Sequence, residues 1–229
     1  MFQDVFVSYQ DNFLPYPRQS QGERYNSLAM VGYHFQWNMY TPYWDPEQGF
    51  WLDLVGTAGG AQFTGWQGLT QGRIQLAGVQ QLPDWTGPFE TWRLAGRVAA
   101  LGAWPNYGQF YALGGDTLFR GFDLAQRQGN ALWVANAEVR IPLARDVEWD
   151  TLDHVVGARN LSLVGFYDVG EVFANGRSVD GVAHALGAGL RVDIALFSFI
   201  ERATLRFDVA KTINAATPLQ FWFGIQQAF

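Results

Sequence analysis

The 229-residue chain carries 15 Lys and Arg against 21 Asp and Glu, a net charge of −6, and only 16% of its residues are charged. The acidic balance excludes an electrostatic nucleic-acid footprint. The absence of cysteine excludes thiolate metal sites, thiol nucleophiles and a disulfide framework. Glycine (26), Phe (18), Trp (10) and Tyr (9) are abundant, no apolar run reaches 18 residues, and the start MFQDVFVSYQD lacks the basic and apolar regions of a secretory signal.

Hydrophobicity alternates with a period of two along most of the chain, which predicts β-strands and no helix. In the N-terminal half, strands are predicted at 2–10, 25–40, 50–63 and 70–82. ETWRLAGRVAALG then sets Trp92, Leu94 and Val98 against Arg93 and Arg97. A long connection at 104–130 follows, rich in glycine and aromatic residues.

The second half alternates more cleanly. ALWVANAEVRIPL (131–143) sets Trp133, Val139 and Ile141 against Asn136, Glu138 and Arg140, and LSLVGFYDVGEVF (161–173) sets Leu163, Tyr167 and Val169 against Phe166, Asp168 and Gly170. The strand at 183–197 opposes Leu186 and Leu190 to Gly187, Gly189, Arg191 and Asp193, and that at 201–211 opposes Leu205 and Phe207 to Arg202, Arg206 and Asp208. The last, 218–229, aligns Phe221, Phe223, Ile225 and Phe229 on one face. Segment 144–160 reads as a long turn.

Alternation suits either a soluble β-sandwich or calyx, whose apolar face is core, or an outer-membrane barrel, whose apolar face meets lipid. Long strands, apolar faces almost free of charge, and opposite faces mixing Arg with Asp, Glu, Gly and Gln favour the barrel. The expectation is an all-β, antiparallel transmembrane β-barrel of about ten strands, one domain over 1–229, multi-pass in the bacterial outer membrane. Trp37, Trp44, Trp51, Trp85, Trp104 and Phe229 are candidates for its aromatic girdles.

Arg120 stands out in GGDTLFRGFD. The surrounding loop, 104–130, is too apolar for disorder, so it is expected to fold back into the barrel lumen. A buried guanidinium then needs a carboxylate on the wall, and the polarity pattern offers Glu138.

Four ordered motifs in 112–229 resemble the barrel of the Omp85 (bacterial surface antigen D15) superfamily, which includes BamA-like and TamA-like assembly factors. They are the Arg-Gly-Phe at Arg120, Gly121 and Phe122; Asn136, Glu138 and Arg140; Phe166, Asp168 and Gly170; and Gly187, Gly189 and Arg191. The resemblance implies a sixteen-strand barrel, with Asp168 as the partner of Arg120. It adds a charged lumen containing Arg140, Arg191, Asp193, Arg202, Arg206 and Asp208, and a C-terminal signal and seam at Phe221, Phe223, Ile225 and Phe229.

The implied function is assembly or translocation of proteins at the outer membrane, without enzymatic activity, cofactor or metal. The implied partners are outer-membrane lipid, unfolded or secreted client proteins, and periplasmic POTRA domains or accessory proteins. The alternatives are a membrane anchor for a fused lipase-like enzyme, or a truncated or engineered barrel without transport activity. With about ten strands, the chain reads as a fragment of a longer product, a short homologue or a minibarrel.

Overall fold

A computed structural model describes residues 1–11, 27–41, 46–62, 65–105, 111–145, 147, 149–151, 156–196 and 200–225. The first strands are β1 (Phe2–Asp11), β2 (Ser27–Asn38), β3 (Gln48–Gln62), β4 (Trp66–Gln81) and β5 (Arg93–Trp104). A 3-10 segment, Asp84–Phe89, occupies the β4–β5 turn. Two short strands, β6 (Tyr111–Leu113) and β7 (Arg127–Gly129), pair as a separate hairpin within the next connection. Then come β8 (Ala131–Ala144), β9 (Trp149–Thr151), β10 (Val156–Ala174), β11 (Arg177–Leu196), β12 (Ile200–Thr212) and β13 (Gln220–Ile225).

The large sheet runs β1-β2-β3-β4-β5-β8-β10-β11-β12-β13, each pair antiparallel, with β9 pairing β10 off this path. Part of the turn expected at 144–160 is therefore a strand extension, in which Val156–Ala158 pair with Trp149–Thr151. The register keeps each strand's alternation in phase with its neighbours, because a one-residue slip would turn every side chain to the wrong face. One face exposes Val31, Tyr33, Ile74, Leu76, Leu94, Val98, Leu186, Leu190 and Phe207. The other buries Asp53, Arg97, Asn136, Glu138, Asp168, Arg191, Arg206 and Asp208.

The sheet is open. Among the described residues β1 is bonded to β2 and β13 to β12, and no ladder joins the two ends. The expected transmembrane barrel, sixteen-strand type or short and closed, is corrected to an open all-β sheet. A period of two specifies two faces and is shared by sheets and barrels; closure depends on strand number, tilt and shear, which alternation does not encode. The multi-pass outer-membrane barrel and the transport or assembly function resting on it fall for the same reason, since unpaired backbone along two edges is not tolerated in hydrocarbon. Of the residues assigned to a lumen, Arg140, Gly187, Gly189, Arg191, Asp193, Arg206 and Asp208 lie instead on the polar face of an open sheet.

Candidate functional site

The β5–β8 connection lies on the polar face. Gly114 and Gly115 adopt φ of 131° and 105°, which disfavours any residue with a Cβ. A Cβ on Gly114 would also run into the carbonyl of Asp123. On either side of this turn Leu113, Phe119 and Phe122 are fully buried against Ala99, Leu132, Val134, Val172, Ala183 and Ala185. The two phenylalanine rings lie 4.5 Å apart. Gly121 fits because a Cβ there would come within 2.5 Å of Ala185 and 2.7 Å of Thr212 Oγ1.

This packing delivers Arg120, 2% exposed, to the sheet. Its Nε and NH2 donate to the two oxygens of Asp168 on β10 at 2.9 and 2.6 Å, its NH1 donates to Glu138 Oε1 on β8 at 2.6 Å, and its backbone N–H donates to Asp168 Oδ2 at 3.1 Å. Asp208 Oδ2 on β12 lies 3.6 Å from NH1. The guanidinium also stacks 3.4 Å from the centroid of Phe166, and that ring has room because β11 carries Gly187, where a Cβ would strike both the ring and the Val209 carbonyl. A planar fork bonded bidentately on one side and stacked on its face is a use of arginine that lysine cannot reproduce.

The charges extend across the strands. Glu138 also meets Arg140 Nε at 3.1 Å and Arg191 NH2 at 3.6 Å, while Arg191 NH1 donates to Asp208 Oδ1 at 2.6 Å. Arg206 reaches back to the loop, donating from NH2 to Asp116 Oδ2 at 2.7 Å. Gly189 leaves the space that the Asp208 carboxylate occupies, and a Cβ on Gly170 would sit 2.9 Å from the Trp133 carbonyl. Burial alone would raise the Glu138 carboxyl; Arg140, Arg120 and Arg191 outweigh it and hold the group down at about 2. Burial likewise works against the charge of Arg120, but Asp168 and Glu138 push it above its ordinary range.

Arg97, Trp222 and Thr212 also belong to the cluster although the sequence did not single them out, and Asn136, expected only as a motif residue, links them to Asp168. Arg97 donates from Nε to Asn136 Oδ1 at 3.0 Å and from NH2 to the Thr117 carbonyl, while Asn136 Nδ2 donates to Asp168 Oδ1 at 2.8 Å and to the Leu118 carbonyl at 2.9 Å. Burial lowers Arg97 to about 10. Trp222 Nε1 donates to the Arg120 carbonyl at 2.8 Å, and Thr212 Oγ1 donates to that of Gly121 at 2.7 Å. Trp222 had one legible signal: it is the large aromatic on the polar face of its strand, where a ring with one N–H donor needs an acceptor.

Not every expected member joins. Asp193 bonds Thr204 and Asn160 instead. The side chain of Arg202, and Phe229 and Trp44, lie outside the described residues. Phe221, Phe223 and Ile225 face away from the cluster, 71%, 60% and 58% exposed. Trp37, Trp85 and Trp104 are exposed and Trp51 is half-buried.

The sequence profile of the Omp85 superfamily domain matches residues 4–229. No curated protein matches the chain. The family's members are assembly and insertion factors rather than catalytic enzymes, and membership is consistent with lipid and client-protein partners in general.

Proposed function

Because the chain belongs to the Omp85 superfamily, and because its sheet is open at both edges, we propose that it is a structural sheet domain of that family without transport activity of its own. Its working part is a latch. Arg120, Gly121 and Phe122 fasten the β5–β8 connection to Asp168, Phe166, Gly170 and Glu138, and Arg140, Arg191, Arg206 and Asp208 balance the charge around them. The observation that carries this reading is the fully engaged guanidinium of Arg120, bonded to two carboxylates on two adjacent strands. A connection held this way closes over the polar face and adds rigidity to the sheet. The opposite face, with Tyr33, Leu76, Val98 and Phe207 exposed, suits contact with lipid.

The test is reconstitution of the purified chain into liposomes, followed by ion-conductance and client-translocation measurements. Both are expected at the protein-free background. Brominated lipid is expected to quench tryptophan fluorescence through the exposed Trp37, Trp66 and Trp104. Conductance or translocation by this chain alone would overturn the reading.

A further inference from the structure

A second polar cluster, well apart from Arg120 in sequence, ties the edge strand β1 to the sheet. His34 on β2 stands between two carboxylates: Nε2 is 2.8 Å from Asp53 Oδ2 on β3, and Nδ1 is 3.1 Å from Asp4 Oδ1 on β1. Arg73 on β4 grips the other Asp53 oxygen, from Nε at 3.0 Å and from NH2 at 2.8 Å. The charged groups facing the ring are therefore Asp4 from β1 and Asp53 from β3, with Arg73 from β4 behind Asp53. Phe2 adds an edge-to-face contact at 5.8 Å.

Ionised carboxylates only accept hydrogen bonds, and a neutral imidazole has one N–H. With a carboxylate oxygen against each ring nitrogen, the protonated ring attracts both; the neutral ring keeps its hydrogen bond with Asp53 but has no charge to set against Asp4. We infer that His34 is a proton-operated clasp, which holds β1 on the sheet when charged and loosens it when neutral.

The two carboxylates are not equivalent. The Asp53 side chain is 3% exposed and keeps Arg73 in either state. Asp4 Oδ1 accepts no hydrogen bond of good geometry, so its ion pair with His34 is what counters its charge. Loss of the proton thus weakens the contact to Asp4, on a strand bonded to a single neighbour. Loosening β1 uncovers the backbone donors and acceptors of β2, so proton concentration sets how often a new pairing edge is presented.

Amide hydrogen exchange of the full chain tests this, with protection factors for 1–11 compared with those of β3 and β4 between about pH 5.5 and 8.5, the range over which histidine changes charge. Protection of β1 is expected to fall about fivefold as pH rises, with β3 and β4 unchanged. His34→Gln and Asp4→Asn are each expected to abolish that fall, and either variant suffices if the other does not fold. A wild-type β1 whose protection ignores pH, or a fall that persists in a folded variant, overturns the inference.

Discussion

Arg120 lies within reach of three carboxylates, and its removal would leave Asp168 and Glu138 buried without their main counter-charge. Arg120→Ala is therefore expected to lower stability by about 3–5 kcal/mol, read from urea unfolding. Arg120→Lys should recover only part of this, because an ammonium cannot fork across Asp168 while stacking on Phe166. Glu138 gives the cluster a pH signature. Its folded value, about 2, lies below the ordinary carboxylate value. Its contribution is thus complete above about pH 4.3, roughly 3 kcal/mol, and is lost as pH falls from there through 2. Unfolding midpoints measured from pH 6 down to 2 should show this loss in the wild type and a flatter profile in Glu138→Gln. Glu138 was legible as a candidate from the polarity pattern of its strand, and Asp168 through the resemblance of its motif to the family's. Asn136 was named only as a motif residue, and Arg97 not at all as a partner, because both hold the loop through the backbone carbonyls of Leu118 and Thr117, acceptors that carry no side-chain signature in a sequence.

At the level of elements, the latch depends on glycines that make room on neighbouring strands. Gly187→Ala would force the Phe166 ring off its place over Arg120, and overpacking of this kind costs about 1–3 kcal/mol. Combining it with Phe166→Leu should recover part of the loss, since the smaller side chain vacates the space; no recovery would separate Gly187 from the Phe166 stack. Trp222→Phe removes the donor to the Arg120 carbonyl and is expected to cost about 1 kcal/mol, with faster amide exchange in β13. The strands themselves were plain in the sequence: those expected at 131–143, 161–173 and 183–197 appear as β8, β10 and β11, each longer at one or both ends. The extension of β10 back to Val156 was not legible, because Val156–Ala158 rely on pairing with Trp149–Thr151 rather than on their own alternation.

For the whole molecule, two sheet edges are decisive. Alternation made two faces legible from Val31 on β2 to Phe223 on β13, but it says nothing of what lies beside β1 or β13. The family's motifs are concentrated around the loop and its strands, and the closed barrel that the resemblance implied is not what the sheet forms. Unpaired edges predict self-association: light scattering of the chain should rise with concentration, and Val7→Lys on β1, 83% exposed, should suppress it by placing a charge along that edge.

The latch also has a history in time. Arg120 precedes Trp222 by 102 residues and Asp168 by 48. At ribosomal speeds of about 5–20 residues per second, the indole that covers its carbonyl is made roughly 5–20 s after the arginine. Through that interval Phe119 and Phe122 have β5 and then β8 to rest on, but not the last two strands. The connection is thus made before every part of the cluster but Arg97 and is the last to be sealed, and a ribosome paused before β12 would hold a nascent chain whose loop is still open to whatever binds exposed aromatic rings.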